Sequence, residues 1–208
     1  MSMIWINPVV DSMYDAYVLD EFLRKYGHKR VHASKDWGTI VKEKYWKMAC
    51  EGNKTVADVR CPKVRELLEN MGNTEKMLIP DIEPILIHCG REISQREELA
   101  GEDKIIITPC QALAEMGNDL TLPDTRFVTW KTFLKLTGEE PRGKELQSSP
   151  IPPGFFDSLM LNTISITGED AILQELETGT HDDLQLMEML FCKDGCHTGD
   201  GVQRDTNR

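Results

Sequence analysis

From about residue 56 onward the chain alternates between short apolar runs rich in β-branched residues and stretches with helical periodicity, and few architectures accommodate that alternation. The runs Val56 to Val59, Ile85 to His88, Ile105 to Thr108, Phe127 to Thr129 and Ile164 to Ile166 read as buried strands. Between and after them, Lys63 to Met71, Ser94 to Leu99, Gln111 to Met116, Lys131 to Leu136, Asp170 to Glu177 and Asp183 to Leu190 read as helices. Upstream, a short strand at Ile4 to Asn7 precedes a helix from Met13 to Tyr26, where Tyr14, Tyr17, Val18 and Phe22 recur near a 3.6-residue period and Gly27 ends the pattern. A second helical stretch covers Thr39 to Ala49. The expected class is α/β, a mostly parallel sheet or sheets flanked by helices. At 208 residues the chain can bury one large core or build two small lobes. Thr137 to Phe155, with Pro141, Pro150, Pro152 and Pro153 beside Gly138, Gly143 and Gly154, reads as a connector. The expected division is therefore 1–136, carrying Cys61 and Cys110; the connector 137–155; and 156–208, carrying Cys192 and Cys196. The polar tail Val202 to Arg208 reads as frayed.

Charge and hydropathy exclude two partner classes. Net charge is -11, distributed as +2 over residues 1–60 and -13 over residues 61–208. Phosphate binding relies on clustered Lys and Arg, so nucleic acid is not expected as a partner. No apolar run approaches the ~20 residues of a membrane span. The start of the chain, Met1 to Pro8, lacks the basic flank and apolar stretch of a secretory signal. The expectation is a cytoplasmic protein whose acidic surface suits a basic protein partner.

In a reducing compartment the six cysteines, Cys50, Cys61, Cys89, Cys110, Cys192 and Cys196, point to metal binding or thiol chemistry more than to disulfides. For any one of them, burial as a small apolar residue is an even alternative. Context separates them. Cys61 in Arg60-Cys61-Pro62 and Cys110 in Thr108-Pro109-Cys110 both follow an apolar strand and precede a helix. Ligands gather at the carboxyl ends of parallel strands, where the next helix offers unpaired N–H groups and the positive end of its dipole. Such a position favours a thiolate. Cys192 and Cys196 lie four positions apart in a loop with Gly195, Gly199 and Gly201, which allows close backbone approach to a shared centre. His197 beside them leaves zinc open as an alternative metal. Cys50 and Cys89 read as buried small residues, although Cys89 ends an expected strand. His88 and His197 read as hydrogen-bonded structural residues, with His197 retained as a possible donor to a cluster sulfur. The acidic pair Asp182-Asp183 and the pair Glu139-Glu140 read as solvated surface.

Taken together, the three cysteine elements resemble the C-terminal catalytic domain of the iron-only hydrogenases and their hydrogenase-like relatives. The resemblance covers about residues 56 to 202. In that family a four-iron four-sulfur cubane is held by a Cys-Pro cysteine, a Pro-Cys cysteine and a late, glycine-rich C-x3-C pair. Matched in order, these are Cys61, Cys110, Cys192 and Cys196. The segment Ser165 to Glu169 and the helix to Glu177 also resemble the Thr-Gly segment and helix before the last motif.

Four positions depart from the family pattern. Arg60 stands where hydrogenases carry a proton-relaying Cys, and a guanidinium cannot shuttle protons at neutral pH. Leu113 replaces the Lys that helps hold the di-iron unit, and Thr108 and Leu190 replace methionines that pack on it. The resemblance with these departures implies a hydrogenase-like protein that binds one 4Fe-4S cluster for electron transfer or redox sensing, without hydrogen turnover, in an anaerobic cell. A redox protein is then the expected partner. Two alternatives remain at this stage: a zinc-binding or metal-free interaction module on the same scaffold, and an active iron-only hydrogenase.

Overall fold

A computed structural model describes residues 1–72, 77–178 and 183–203. In chain order the elements are β1 (Ser2–Trp5), α1 (Pro8–Met13), α2 (Ala16–Lys25), β2 (His28–Arg30), α3 (Trp37–Glu51), β3 (Thr55–Ala57), α4 (Pro62–Met71), β4 (Met77–Leu78), α5 (Ile85–Ser94), β5 (Lys104–Thr108), α6 (Gln111–Asp119), β6 (Thr125–Thr129), α7 (Trp130–Thr137), β7 (Thr163–Thr167), α8 (Glu169–Thr178) and β8 (Leu186–Leu190). Asp182 lies outside the described residues. Among the described residues no helix is long and apolar enough to cross a membrane.

The α/β class is as the alternation implies. Two four-stranded sheets form, one in the order β2-β1-β5-β6 and the other β4-β3-β8-β7, and every strand pair in both is parallel. They belong to two compact units, each assembled from separate stretches of chain. Unit 1 comprises Met1–Lys35, Leu86–Pro150 and Cys196–Arg208; unit 2 comprises Asp36–Ile85 and Ile151–Gly195. These units differ from a division at the Pro/Gly-rich connector: Cys61 and Cys192 belong to unit 2, Cys110 and Cys196 to unit 1.

Local chemistry explains where the first helices begin. Asn7 caps α1, its Oδ1 accepting from the N–H groups of Val9 at 3.0 Å and Val10 at 3.1 Å, with Pro8 in the first turn, where a missing N–H costs nothing. The Asn7 Nδ2 donates to the Ile107 carbonyl, tying α1 to β5. Asp15 caps α2. The helix expected over 13–26 is therefore interrupted at Tyr14, which is extended.

Two expectations are corrected. Ile85 to His88 is not a strand but the first turn of α5. This helix presses on its sheet: a methyl group on Gly90 would come within 2.5 Å of the Phe127 ring. Ile87, Cys89, Gly90 and Ile93 are buried, and so apolar a stretch loses the alternation that separates helix from strand. Conversely, Asp183 to Leu190 does not form a helix; Leu186–Leu190 is β8, between β3 and β7, with all five residues buried. A strand covered on both faces shows no alternation, and the helix preference of Leu, Met and Glu yields to its position inside the sheet. Beyond α5, the expected helix at Ser94 to Leu99 is reduced to a single 3-10 turn, Glu97–Leu99.

Gly117 shows how closely α6 approaches β6. An added Cβ would fall 2.3 Å from Cδ1 and Cγ of Phe127, itself buried. Gly117→Ala gains up to ~1 kcal/mol in helix propensity, yet overpacking typically costs about 1–3 kcal/mol. Net destabilisation is expected in urea unfolding; equal or higher stability would mean that the Phe127 ring yields.

Candidate functional site

In unit 2 the strand order places β8 and β4 on opposite sides of β3. The chain leaves β3 toward β4 and reaches β8 from β7 in the same direction across the sheet, so α4 and α8 cover one face and the carboxyl ends of β3 and β8 stand side by side; ligands of an open parallel sheet gather beyond such strand ends. Beyond β3 lie Asp58, Val59, Arg60 and Cys61; beyond β8 lie Phe191 and Cys192. Cys61 is the N-cap residue of α4, extended (φ -92°, ψ 114°), with Pro62 in the first turn and no cap hydrogen bond from its side chain. Burial raises the Cys61 thiol pKa; the backbone N–H groups of Phe191, Val64 and Lys63 oppose this, and the Asp58 charge adds to it. Cys61 and Phe191 pack on one apolar cluster formed by Val59, Val64, Leu68, Met187 and Met189. The end of β8 is fixed further by Gly168, whose N–H donates to the Leu190 carbonyl, and by the Asp194 N–H, which donates to Thr167 Oγ1. Asp194 and Gly195 both have positive φ, 60° and 113°, so the loop turns sharply between the two cysteines.

In unit 1 the strand that leads to a cysteine is β5. The order β2-β1-β5-β6 puts a switch point between the carboxyl ends of β1 and β5. Thr108, Pro109 and Cys110 follow that end, and Cys110 is the N-cap residue of α6, again extended and without a side-chain cap bond. The cap comes from another segment: the Gln111 N–H donates to Asp200 Oδ1 at 2.8 Å. Gly201 N–H donates to the Pro109 carbonyl at 3.1 Å. A Cβ on Gly201 would lie 2.9 Å from the Cys110 nitrogen, and one on Gly199 would lie 2.5 Å from the Pro109 carbonyl and 3.1 Å from that of Cys196. Only glycine permits this approach, and it seats the loop that follows Cys196 directly on the Pro109–Cys110 backbone.

Each unit thus brings a strand-end cysteine against the backbone next to one member of the C-x3-C pair: Cys61 beside Phe191-Cys192, and Cys110 beside the 199–201 loop after Cys196. No disulfide forms among the six cysteines. Among the described residues, no group of three or more His, Cys, Asp or Glu side chains is placed to hold a metal ion. Cys50 is exposed near the end of α3. Cys89 does not end a strand; it is buried inside α5, where burial and then the Glu92 charge push its pKa up to about 12. His197 sits in a 3-10 turn with Cys196. Its Nδ1 is buried with no hydrogen-bond partner, and the residue lines a cavity of about 270 Å³ together with Met13, Glu145 and Gln147.

Sequence reasoning missed a buried ionic network in unit 2. The Arg60 guanidinium donates from Nε and Nη2 to the two oxygens of Asp58 at 2.9 and 2.7 Å, and from Nη2 to Glu188 Oε1 at 3.0 Å. It also lies over the rings of Phe155 and Phe156 at 3.9 and 4.6 Å. Burial by itself would lower the Arg60 pKa, but the Asp58 charge and hydrogen bonds and the Glu188 charge outweigh it, and the pKa is raised. Glu188 accepts in addition from the N–H groups of Gly154 and Phe155 and from Ser165 Oγ. Burial raises the pKa of neighbouring Tyr45, and Asp58 adds to the effect; the Tyr45 hydroxyl accepts from the Val59 N–H. The one signal in the sequence is a lone Glu inside an otherwise apolar strand, Leu-Met-Glu-Met-Leu.

Comparison with known proteins supports the architecture. No family model matches the chain, and no curated protein matches it. Among solved structures, a variant of FeFe-hydrogenase HydA1 from Chlamydomonas reinhardtii is similar at a TM-score of 0.66 and 12% sequence identity, over 100% of this chain and 81% of that one. The fold is hydrogenase-like.

Removing one partner of a buried ion pair typically costs about 3–5 kcal/mol, because the remaining charge is left without compensation. Glu188→Ala leaves Arg60 with a single carboxylate partner and strips an acceptor from Gly154, Phe155 and Ser165, so a loss of that size is expected in chemical denaturation. A loss under about 1 kcal/mol, the range of an exposed pair, would mean that the network contributes little to the fold.

Proposed function

We infer that the chain binds one four-iron four-sulfur cubane through Cys61, Cys110, Cys192 and Cys196, and that it uses the cluster for one-electron transfer or redox sensing rather than for hydrogen turnover. The observation that carries this reading is the repeated placement of Cys61 and Cys110: each follows the carboxyl end of an inner parallel strand and begins a helix with no cap hydrogen bond from its side chain. Cys61 also meets the backbone of Phe191, next to Cys192, and Cys110 meets the 199–201 loop that follows Cys196. Only three residues separate Cys192 from Cys196, so the chain alone keeps their Cα atoms within ~14 Å at full extension.

The donor chemistry agrees. Four thiolates suit iron-sulfur ligation, with N–H groups near the sulfurs stabilising an anionic cluster. The bound group would supply a one-electron couple. This chain's part is to deliver thiolates from two strand ends and one loop, and to shield Cys61 within an apolar cluster.

Hydrogen turnover is not part of the proposal. Arg60, at the position where the family carries a proton-relaying Cys, is engaged on Asp58 and Glu188, and Leu113 is buried with neither charge nor donor. The electron partner would be a redox protein with a basic patch, complementary to the -13 charge of residues 61–208; the compartment would be a reducing cytoplasm.

A second reading is a zinc-binding or metal-free interaction module; His197, in one 3-10 turn with Cys196 and with its buried Nδ1 lacking a hydrogen-bond partner, is the imidazole that would favour zinc. Anaerobic reconstitution followed by metal and sulfide analysis separates the two. The cluster reading predicts a brown protein with about four irons and four sulfides per chain. Substitution of Cys61, Cys110, Cys192 or Cys196 by Ala should abolish the iron, whereas Cys50→Ala should retain it. A colourless protein holding zinc or nothing supports the second reading, and equal iron in all five single variants refutes this set of ligands.

A further inference from the structure

The Asp58–Arg60–Glu188 network ends one residue before Cys61. Arg60 contributes its Nε and Nη2, its backbone N–H donates to Asp58 Oδ1, and its guanidinium lies over two phenylalanine rings. The backbone just before Cys61 is therefore held from both its main chain and its side chain. Val59 is held too, by the Tyr45 hydroxyl. Asp58 and Glu188 are almost fully buried, at 0% and 1% exposure, and Arg60 is 9% exposed. Two carboxylates and one guanidinium leave a formal charge of -1 in a medium where little water screens it. A well-packed apolar trio of similar volume often serves stability as well or better, so a buried charged network beside Cys61 is weak evidence of a stabilising role alone.

We propose that Arg60 is a positioning residue for Cys61, and that the charge of the network it closes with Asp58 and Glu188 sets the redox equilibrium of the centre Cys61 helps to hold. This rests on the cluster reading given above. Reduction adds one negative charge to the cluster, so removing the guanidinium disfavours the reduced state, while removing a carboxylate charge favours it. The two effects have opposite signs. Loosening of the strand end has no reason to reverse sign between the two variants.

The test uses the full chain, reconstituted anaerobically, with the midpoint potential read by electron paramagnetic resonance during a redox titration and with iron counted per chain. Arg60→Met is expected to lower the oxidised-to-reduced equilibrium toward the oxidised form by roughly tenfold, or about 59 mV for one electron. Asp58→Asn is expected to shift it by a similar amount in the other direction. Arg60→Lys, which keeps the charge, should stay near the wild-type midpoint with reduced iron retention, because an ammonium cannot reproduce the two-pronged contact with Asp58. If Arg60→Met does not fold, Asp58→Asn measured against wild type decides, and the upward shift is required. Midpoints that do not move, or that move the same way in both charge variants, overturn the proposal while leaving the cluster reading intact. A wild-type chain that takes up no iron overturns the cluster reading and this proposal with it.

Discussion

Ligands of an open parallel sheet gather beyond the carboxyl ends of its strands, and both units of this protein run an inner strand of such a sheet into cysteine. In unit 2, β3 runs into Cys61 while adjacent β8 runs into Phe191 and Cys192; in unit 1, β5 runs into Cys110, on which the 199–201 loop is seated. The helix that follows each strand-end cysteine brings its first-turn N–H groups to that end, those of Lys63 and Val64 toward Cys61 and that of Gln111 onto Asp200. The rest of the site depends on this constraint. Without strict parallel pairing, the cysteines would not share an end of the sheet with the loops that carry their neighbours.

The loops answer the constraint in different ways. Around Cys110 the fit is made by absence, since Gly199 and Gly201 lack the side chains that would collide with Pro109 and Cys110, and Asp200 between them supplies the cap that Cys110 does not. Around Cys61 it is made by charge. Arg60 binds two buried carboxylates, and one of these, Glu188, reaches on to the Gly154 and Phe155 N–H groups at the end of the Pro/Gly-rich stretch. A segment that reads as a plain connector is thereby pinned to β8. The same carboxylate accepts from Ser165 on β7, so a single side chain ties two strands, the connector and the residue before Cys61.

Much of this was legible in the sequence because it rests on local signals. Strand, cysteine and proline in succession locate Cys61 and Cys110 at strand ends, and β-branched runs locate β3, β5 and β7. What was not legible depended on tertiary context. Leu186 to Leu190 carries residues that favour a helix, yet its place between two strands makes it β8. Ile85 to His88 carries residues that favour a strand, yet it packs as the first turn of α5. Cys89 moved with it, from an expected strand end to a helix interior. In the sequence Arg60 reads only as the residue standing in a thiol's place, because nothing local to Arg-Cys-Pro announces that Glu188, 128 positions away, completes its pairing. The interleaving of the two units was hidden for the same reason: contacts between stretches distant in sequence, rather than composition, decide which belong together.

The central claim is that four thiolates from this chain enclose iron and sulfide. X-ray absorption at the iron edge of the anaerobically loaded protein addresses it most directly, because it reports which atoms surround each iron. The account predicts a first shell of sulfur alone, four per iron, with further irons just beyond it as in a cubane. A first shell containing nitrogen or oxygen, or iron with no iron neighbours, would contradict it.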